Sequence, residues 1–105
     1  LDEPAGRAAA EATDCGFHLL DVGNESHWNA LQAAHPACDV MVNNAGITGF
    51  EDGPALHDPE NATLTEWHAV HRTNLDGTFL GCRYAIRSMK AKGEGSIINI
   101  SSRSG

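Results

Sequence analysis

The sequence predicts an α/β fold in which helices alternate with the short strands of a parallel sheet. Three apolar runs of strand length, residues 17–22, 39–42 and 96–100, are separated by segments with helical character. Glycine, proline or asparagine lies close to the ends of each run, as is usual for buried strands. This alternation is typical of a parallel sheet with right-handed crossovers, so a three-stranded sheet within one small domain is expected.

The first helix is predicted to begin at Glu3-Pro4. Proline suits the first turn of a helix, and an acidic residue there interacts favourably with the helix dipole. The alanine-rich stretch that follows, as far as Ala12, favours continuation of the helix. We expect Gly16 to end it, and residues 17–22 to form the first strand.

The second helix is predicted to start at Asn24 or Ser26, because either side chain can cap the first turn. Trp28 and Leu31 then lie on one face of this helix. Pro36 ends it, and the second strand follows.

The third helix is the strongest periodic signal and is predicted to span residues 64–90. Thr63 and Glu66 form a plausible capping box at its start, and residues 46–63 before it are expected to be an ordered loop. Residues spaced by three and four predict one apolar face, made of Trp67, Val70, His71, Asn74, Leu75, Thr78, Phe79, Cys82, Ile86 and Met89.

Charge and composition exclude several classes of function. The 105 residues carry a net charge of −7, with twelve of the fourteen acidic residues before residue 67, so a nucleic-acid partner is not expected. No apolar run is long enough to cross a membrane, so no membrane partner is expected. Three widely spaced cysteines without a CxxC pair favour reduced thiols in a cytoplasmic protein. His68 and His71 could share a helix face, but no third ligand lies nearby, so no metal site is expected.

Small and polar residues follow all three predicted strands. These segments are Asp21-Val22-Gly23, Asn43-Asn44-Ala45-Gly46 and Ser101-Ser102. In parallel sheets ligands bind beyond the carboxyl ends of the strands, so the three segments together indicate a nucleotide-binding edge. The alternative is that they are ordinary turn residues, which have the same composition.

Four segments in order resemble the short-chain dehydrogenase/reductase family. They are Asp21-Val22, residues 40–47 with their NNAG sequence, residues 72–79 around Asn74, and residues 95–102 that end in Ser102. The resemblance implies a Rossmann-like, doubly wound parallel sheet, of which residues 1–105 would form a single incomplete domain. It also implies an NAD(P)-dependent oxidoreductase that interconverts a secondary alcohol and a ketone.

The resemblance assigns cofactor contacts to the strand ends. Asp21 would accept a hydrogen bond from the adenine amino group, and Val22 would contact the ring. The adenosine ribose would be bordered by Asn44, Ala45 and Gly46. Asn43 borders the same edge but is expected mainly to tie neighbouring strands together. The acidic Asp2 and Glu3 favour NAD over NADP, because the 2′-phosphate of NADP would be repelled there.

Two residues are implied as members of the catalytic set. Ser102, rather than Ser101, would hydrogen-bond the substrate oxygen. Asn74 would hold a water molecule of a proton relay through a local distortion of the helix. Asn is a poor residue in the middle of a helix, which independently singles out Asn74. The 64–90 helix would also pack against its counterpart in a homodimer or homotetramer.

The chain also departs from the family pattern. The family's Tyr-x-x-x-Lys pair and its glycine-rich turn are not found in residues 1–105, and Tyr84 is expected to serve packing. The 105 residues alone are therefore expected to be inactive. A non-catalytic nucleotide-binding or scaffold module on the same fold is the alternative, and a serine hydrolase is remote because no GxSxG surrounds Ser102. The loop residues Phe50, Glu51, Leu56 and His57 are hypothesised to influence substrate access.

Overall fold

The computed structural model describes residues 2–49 and 59–102. Helices and strands alternate over the second half of this sequence, as an α/β fold requires. In chain order the elements are α1 (Glu3–Thr13), α2 (Glu25–Ala34), β1 (Val40–Asn43), α3 (Leu64–His71), α4 (Gly77–Lys90) and β2 (Ser96–Asn99). A π-helical turn, Arg72–Asp76, joins α3 to α4.

The two strands pair in parallel. Val40 lies opposite Ser96, and Asn43 lies opposite Asn99. The Ile100 N–H donates to the Asn43 carbonyl at 3.0 Å and extends the ladder beyond the last paired residues. The predicted parallel pairing is therefore confirmed, with each strand shifted by no more than one residue from its expected bounds.

The expected strand over residues 17–22 is wrong, since this segment forms no strand in the described part of the chain. Side chains of α2 instead satisfy part of its backbone. The Asp21 N–H donates to Nδ1 of His27 at 2.9 Å, and the Val22 carbonyl accepts from Nε1 of Trp28 at 2.7 Å. An apolar run becomes a strand only where a neighbouring strand supplies hydrogen-bond partners, and here a helix supplies them.

The two short helices begin as predicted, although α1 ends earlier than expected. Asp2 caps α1 by accepting from the Ala5 N–H at 3.0 Å, and Asn24 caps α2 by accepting from the Ser26 N–H at 3.0 Å. Asp14, with φ of 54° in the left-handed region, ends α1 two residues before Gly16, which was expected to end it. Asp adopts this conformation at modest cost, so a glycine is not needed here.

The predicted 64–90 helix is interrupted rather than continuous. The capping box at its start is confirmed: Thr63 Oγ1 accepts from the Glu66 N–H at 3.2 Å, and Glu66 Oε2 accepts from the Thr63 N–H at 2.9 Å. Within the π-helical turn, the Gly77 N–H donates to the Arg72 carbonyl five residues earlier. The turn produces the local distortion that was expected at Asn74.

The core lies between α2, α4 and the sheet. Trp28, Leu80 and Tyr84 form its centre, and Tyr84 donates from its hydroxyl to the His35 carbonyl at 2.7 Å. Tyr84 therefore serves packing, as expected. Partly buried residues surround this centre, namely Leu20, Val22, Leu31, Cys38 and Met41.

The face of α4 that packs on the core differs from the predicted one. Of the predicted apolar face on α4, only Met89 is buried, whereas Phe79 and Ile86 are exposed. The buried residues of the helix are instead Gly77, Leu80, Gly81, Tyr84, Ala85, Ser88 and Met89. The π-helical turn accounts for this difference, because one additional residue in a turn rotates all later side chains by about 100°.

The close approach of α4 depends on Gly81. A Cβ at this position would lie 2.0 Å from Oδ1 of Asn43 and 3.2 Å from the Trp28 ring. Gly81 therefore allows α4 to pack directly against the end of β1.

Among the residues that the structure describes, no helix combines the length and the apolar composition needed to cross a bilayer. The three cysteines are unpaired there. The described ranges also hold no group of three or more His, Cys, Asp or Glu side chains arranged to bind a metal ion.

Candidate functional site

The carboxyl ends of β1 and β2 define one rim of the molecule. Because the strands are parallel, the residues that follow Asn43 and those that follow Asn99 leave the sheet at the same edge. Asn44, Ala45 and Gly46 leave β1 with exposed side chains or backbone. Ser101 and Ser102 leave β2 and are also exposed.

A cleft of about 150 Å³ lies beneath this rim, between residues 20–22 and β1. Its walls are mostly apolar, with two asparagines near the rim. The lining residues are Leu20, Val22, Trp28, Met41, Val42, Asn43, Asn44, Ala45, Gly77 and Thr78. An apolar cleft with a few polar groups at its edge is typical of a site for a flat, partly polar ligand.

Asn43 joins the two strands at the base of the rim. Its Nδ2 donates to Oδ1 of Asn99 at 2.8 Å and contacts Sγ of Cys82 at 3.6 Å. The Asn43 side chain is buried, so this amide needs such partners. Its hydrogen bond to Asn99 holds the ends of β1 and β2 in register, so Asn43 ties the neighbouring strands together as expected.

Asn74 binds the backbone of Ile47, the residue that follows Gly46. Asn74 Oδ1 accepts from the Ile47 N–H, and Nδ2 donates to the Ile47 carbonyl, both at 2.8 Å. A Cβ at Gly46 would lie 3.4 Å from Asn74 Oδ1, so the two segments are in direct contact. Asn74 was placed on the predicted apolar face, but it is exposed, and its amide is satisfied by this pair of bonds.

Asp21 carries the only ion pair that the described residues show at this rim. Its Oδ2 accepts from Arg72 Nη2 at 2.8 Å, and its Oδ1 accepts from Arg72 Nη1 at 3.3 Å and from the Gly23 N–H at 3.1 Å. The Arg72 guanidinium is the main cause that holds the pKa of this carboxyl below its ordinary value. Partial burial opposes the shift, and the Gly23 N–H adds to it.

Two partners of the predicted residues were not foreseen. Arg72 binds Asp21 across 51 positions of sequence, and Ile47 offers its backbone to Asn74 across 27 positions. The sequence near Arg72 gives one indication of its role, namely that this cation lies two residues before an asparagine within the predicted helix. Ile47 carries no such signal, because any residue has the same backbone groups.

The structure therefore brings most of the predicted residues to one region. Val22, Asn43, Asn44 and Ala45 line the cleft, and the Asn74 clamp places Gly46 beside them. Ser102 lies three residues beyond β2, after the strand that pairs with β1. The loop hypothesis on Phe50, Glu51, Leu56 and His57 concerns residues outside the described ranges.

Comparisons with known proteins identify relatives of the whole chain. The family profile described as short chain dehydrogenase matches residues 4–105. The 3-alpha-(or 20-beta)-hydroxysteroid dehydrogenase of Mycobacterium tuberculosis is 40% identical over 110 aligned positions, covering 100% of this chain and 40% of that protein. The trans-4-hydroxycyclohexanecarboxylate dehydrogenase of Sinomonas cyclohexanicum is 39% identical, covering 100% of this chain and 44% of that protein.

A similar solved structure is that of a metagenomic short-chain oxidoreductase in complex with NADP. It is 33% identical, with a TM-score of 0.71, over 94% of this chain and 45% of that chain. The sequence thus spans about two fifths of the length of the curated relatives it matches. Because the family profile matches nearly all of the residues, the chain belongs to the short chain dehydrogenase family.

Proposed function

We propose that this chain is the central part of an NAD(P)-dependent oxidoreductase that interconverts a secondary alcohol and a ketone by hydride transfer. The observation that carries the proposal is the clamp between Asn74 and Ile47. It fixes a π-helical turn against the segment that follows β1, at the rim of the cleft. π-Helical turns of this kind occur frequently at functional sites.

The residues at the rim fit the adenosine half of a dinucleotide. The cleft has apolar walls for the adenine ring, and Asp21 is an ionised acceptor for the amino group. We infer that Val22 contacts the ring and that the ribose is bordered by Asn44, Ala45 and Gly46. These small residues leave the backbone accessible to a ligand, whereas Asn43 is engaged with Asn99 and keeps the strand ends in place.

The nicotinamide of the bound cofactor supplies or accepts the hydride. Ser102 is proposed to donate a hydrogen bond to the substrate oxygen and so orient the reacting carbon. Asn74 is proposed to hold a water molecule that passes protons toward the site, because the π-helical turn alters the backbone bonding around it. The family's Tyr and Lys would lie outside residues 1–105, and we propose that these residues form an incomplete domain that is inactive alone.

The relatives suggest a class of substrate. The two curated relatives are named for dehydrogenation of a hydroxysteroid and of a hydroxycyclohexane carboxylate. Both names describe secondary alcohols on alicyclic molecules. We therefore propose that the full-length protein prefers an alicyclic secondary alcohol or the corresponding ketone.

The preference between NAD and NADP remains a prediction. The acidic Asp2 and Glu3 favour NAD, although Glu3 is already paired with Arg7 at 2.8 Å. The related solved structure holds NADP and so lends no support to NAD. The cytoplasmic location likewise remains a prediction, supported by the unpaired cysteines.

The 64–90 helix is proposed to form a homodimer or homotetramer contact. Its exposed side chains include Trp67, Leu75, Phe79 and Ile86, and exposed apolar side chains that adjoin one another mark protein–protein contacts. Phe79→Glu in the full-length protein is expected to lower the assembly size in sedimentation experiments. Ala33→Glu, which adds the same charge on the exposed side of α2, is the control and should leave the assembly unchanged.

Turnover by the full-length protein tests the proposed activity. Reduction of NAD or NADP is followed with cyclohexanol derivatives and hydroxysteroids as substrates. Ser102→Ala is expected to lower kcat by about a hundredfold or more, because a positioned hydrogen-bond donor is lost. The neighbouring Ser101→Ala should stay close to wild type. Cofactor binding without turnover would favour the non-catalytic module instead, and failure to bind either cofactor would contradict both functions.

A further inference from the structure

Arg72 and Gly23 together hold the Asp21 carboxylate in one orientation. Three hydrogen bonds reach its two oxygens: two from the Arg72 guanidinium and one from the Gly23 N–H. Oδ1 accepts two of them, whereas from the described residues Oδ2 accepts one, from Nη2 at 2.8 Å. A carboxylate oxygen has two acceptor positions, so Oδ2 retains one for a further donor.

The Arg72 side chain also lies against the turn that contains Asp21. A Cβ at Gly23 would lie 2.7 Å from Arg72 Cγ and 3.0 Å from both Cζ and Nη1. This approach is closer than any residue with a Cβ allows, so Gly23 makes room for the arginine. Two side chains of α2 hold the backbone on the Asp21 side of the turn. His27 Nδ1 accepts from the Asp21 N–H, and Trp28 Nε1 donates to the Val22 carbonyl.

The same arginine begins the π-helical turn. Arg72 is its first residue and lies two positions before Asn74. The ion pair therefore connects the turn that contains Asp21 with the π-helical turn. Asn74 of that π-helical turn binds the backbone of Ile47. The Arg72 side chain is about half exposed, so it lies at the surface of the rim rather than within the core.

We propose that Arg72 is a positioning residue for the adenine side of the cofactor. By donating to both oxygens of the Asp21 carboxylate, Arg72 directs the remaining acceptor position of Oδ2 toward the adenine amino group. This inference rests on the proposed function, because only there is Asp21 placed at the adenine. It assigns to Arg72 an effect on cofactor affinity and no part in hydride transfer.

Binding of AMP to the full-length protein measures this effect without any turnover. Arg72→Met keeps the length of the side chain and removes the guanidinium. Its Kd for AMP in calorimetry is expected to rise by about three- to fivefold, as for the loss of a partly exposed charge pair. Arg72→Lys should recover only part of the loss, since one ammonium cannot make both bonds. kcat at saturating cofactor should remain unchanged, and only the KM for the cofactor should rise.

Arg87→Met is the matched control, because Arg87 is exposed on α4 and makes no ion pair with the described residues. It should leave the Kd for AMP unchanged. A double-mutant cycle then tests whether Arg72 acts through Asp21. In an Asp21→Asn background, Arg72→Met is expected to produce no further change in the Kd.

The outcomes separate the inference from the function on which it rests. If the wild-type protein binds neither AMP nor NAD(P), the proposed function fails, and the inference fails with it. If the wild type binds but Arg72→Met changes only the free energy of unfolding, the ion pair is structural and the inference alone is overturned. A loss of AMP affinity that persists in the Asp21→Asn background would also overturn it, because Arg72 would then contact the ligand directly.

Discussion

The side-chain amide of Asn74 binds the backbone of Ile47 at both of its ends. Oδ1 accepts from the N–H and Nδ2 donates to the carbonyl, each at 2.8 Å, much as a neighbouring strand would. The segment that follows β1 is thereby fixed to the π-helical turn. Two parts of the rim that are 27 residues apart in sequence are held in one arrangement by a single side chain.

Asn74→Asp tests this clamp with almost no change in shape. The carboxylate still accepts from the Ile47 N–H, but its second oxygen then faces the Ile47 carbonyl without a donor. The free energy of unfolding of the full-length protein is expected to fall by about 0.5–1.5 kcal/mol, because one exposed hydrogen bond is lost. Urea unfolding measures it, with Asn29→Asp on the exposed side of α2 as the control. Equal stabilities of the two variants would contradict the role of the clamp.

Gly81→Ala is expected to disrupt the packing of α4 on β1. The new methyl group would lie 2.0 Å from Oδ1 of Asn43, so either the helix or the amide must move. A loss of about 1–3 kcal/mol in the free energy of unfolding is typical of such overpacking. Gly16→Ala is the matched control, because no atom lies within 4 Å of a Cβ there. The idea fails if Gly81→Ala unfolds at the same urea concentration as Gly16→Ala.

The ion pair of Asp21 predicts a pH dependence of stability. Because Arg72 lowers the pKa of Asp21 in the folded state, the stabilisation is fully present above the unfolded carboxyl pKa of about 3.9. It is lost as the pH falls through the lower folded-state value. The other charged or titratable side chains that act on the pair are His27, which faces Asp21, and Asp76, which faces Arg72.

The expected result is a difference in unfolding free energy between wild type and Arg72→Met that stays constant from neutral pH to about pH 4. Below that it should shrink as Asp21 becomes protonated. The difference at neutral pH is expected to be small, because the pair is partly exposed and screened by solvent. The free energy of unfolding of Arg87→Met should differ from that of wild type by the same amount at every pH. If the difference in unfolding free energy between wild type and Arg72→Met is as large in acid as at neutral pH, the ion pair is not the cause of that difference.

Thr63→Ala should weaken the start of α3. It removes the acceptor for the Glu66 N–H and leaves one half of the capping box. Losses of about 0.5–2 kcal/mol are typical of such caps, and urea unfolding measures them. Thr65→Ala, two residues later on the exposed helix surface, should not reproduce the loss.

The sequence predicts the elements whose causes are local. Asn24, one of the two expected caps of α2, and the Thr63–Glu66 pair cap their helices, because each acts on backbone groups within three residues. The strands β1 and β2 are recognised by apolar runs that end in polar residues. Residues 17–22 show the same pattern and form no strand, since a strand also needs a partner that its own composition does not reveal.

The buried face of α4 was not predictable from a constant helical period. The sequence singles out Asn74 as the place of a distortion, but not its size. A π-helical turn adds one residue, so Leu80 and Tyr84 face the core where Phe79 and Ile86 were expected. The partners Arg72 and Ile47 were equally hidden, because they are set by contacts between distant parts of the chain.

The pairing of Asn43 with Asn99 has a consequence for the order of folding. The two residues are 56 positions apart, and the chain between them contains α3 and α4. Such a distant contact forms only after a long loop has closed, which makes parallel pairing intrinsically slow. During synthesis β1 leaves the ribosome before α3, α4 and β2, so this pairing forms only after the intervening helices have been made. The helices are therefore expected to fold early, and the rim to become complete in the last step.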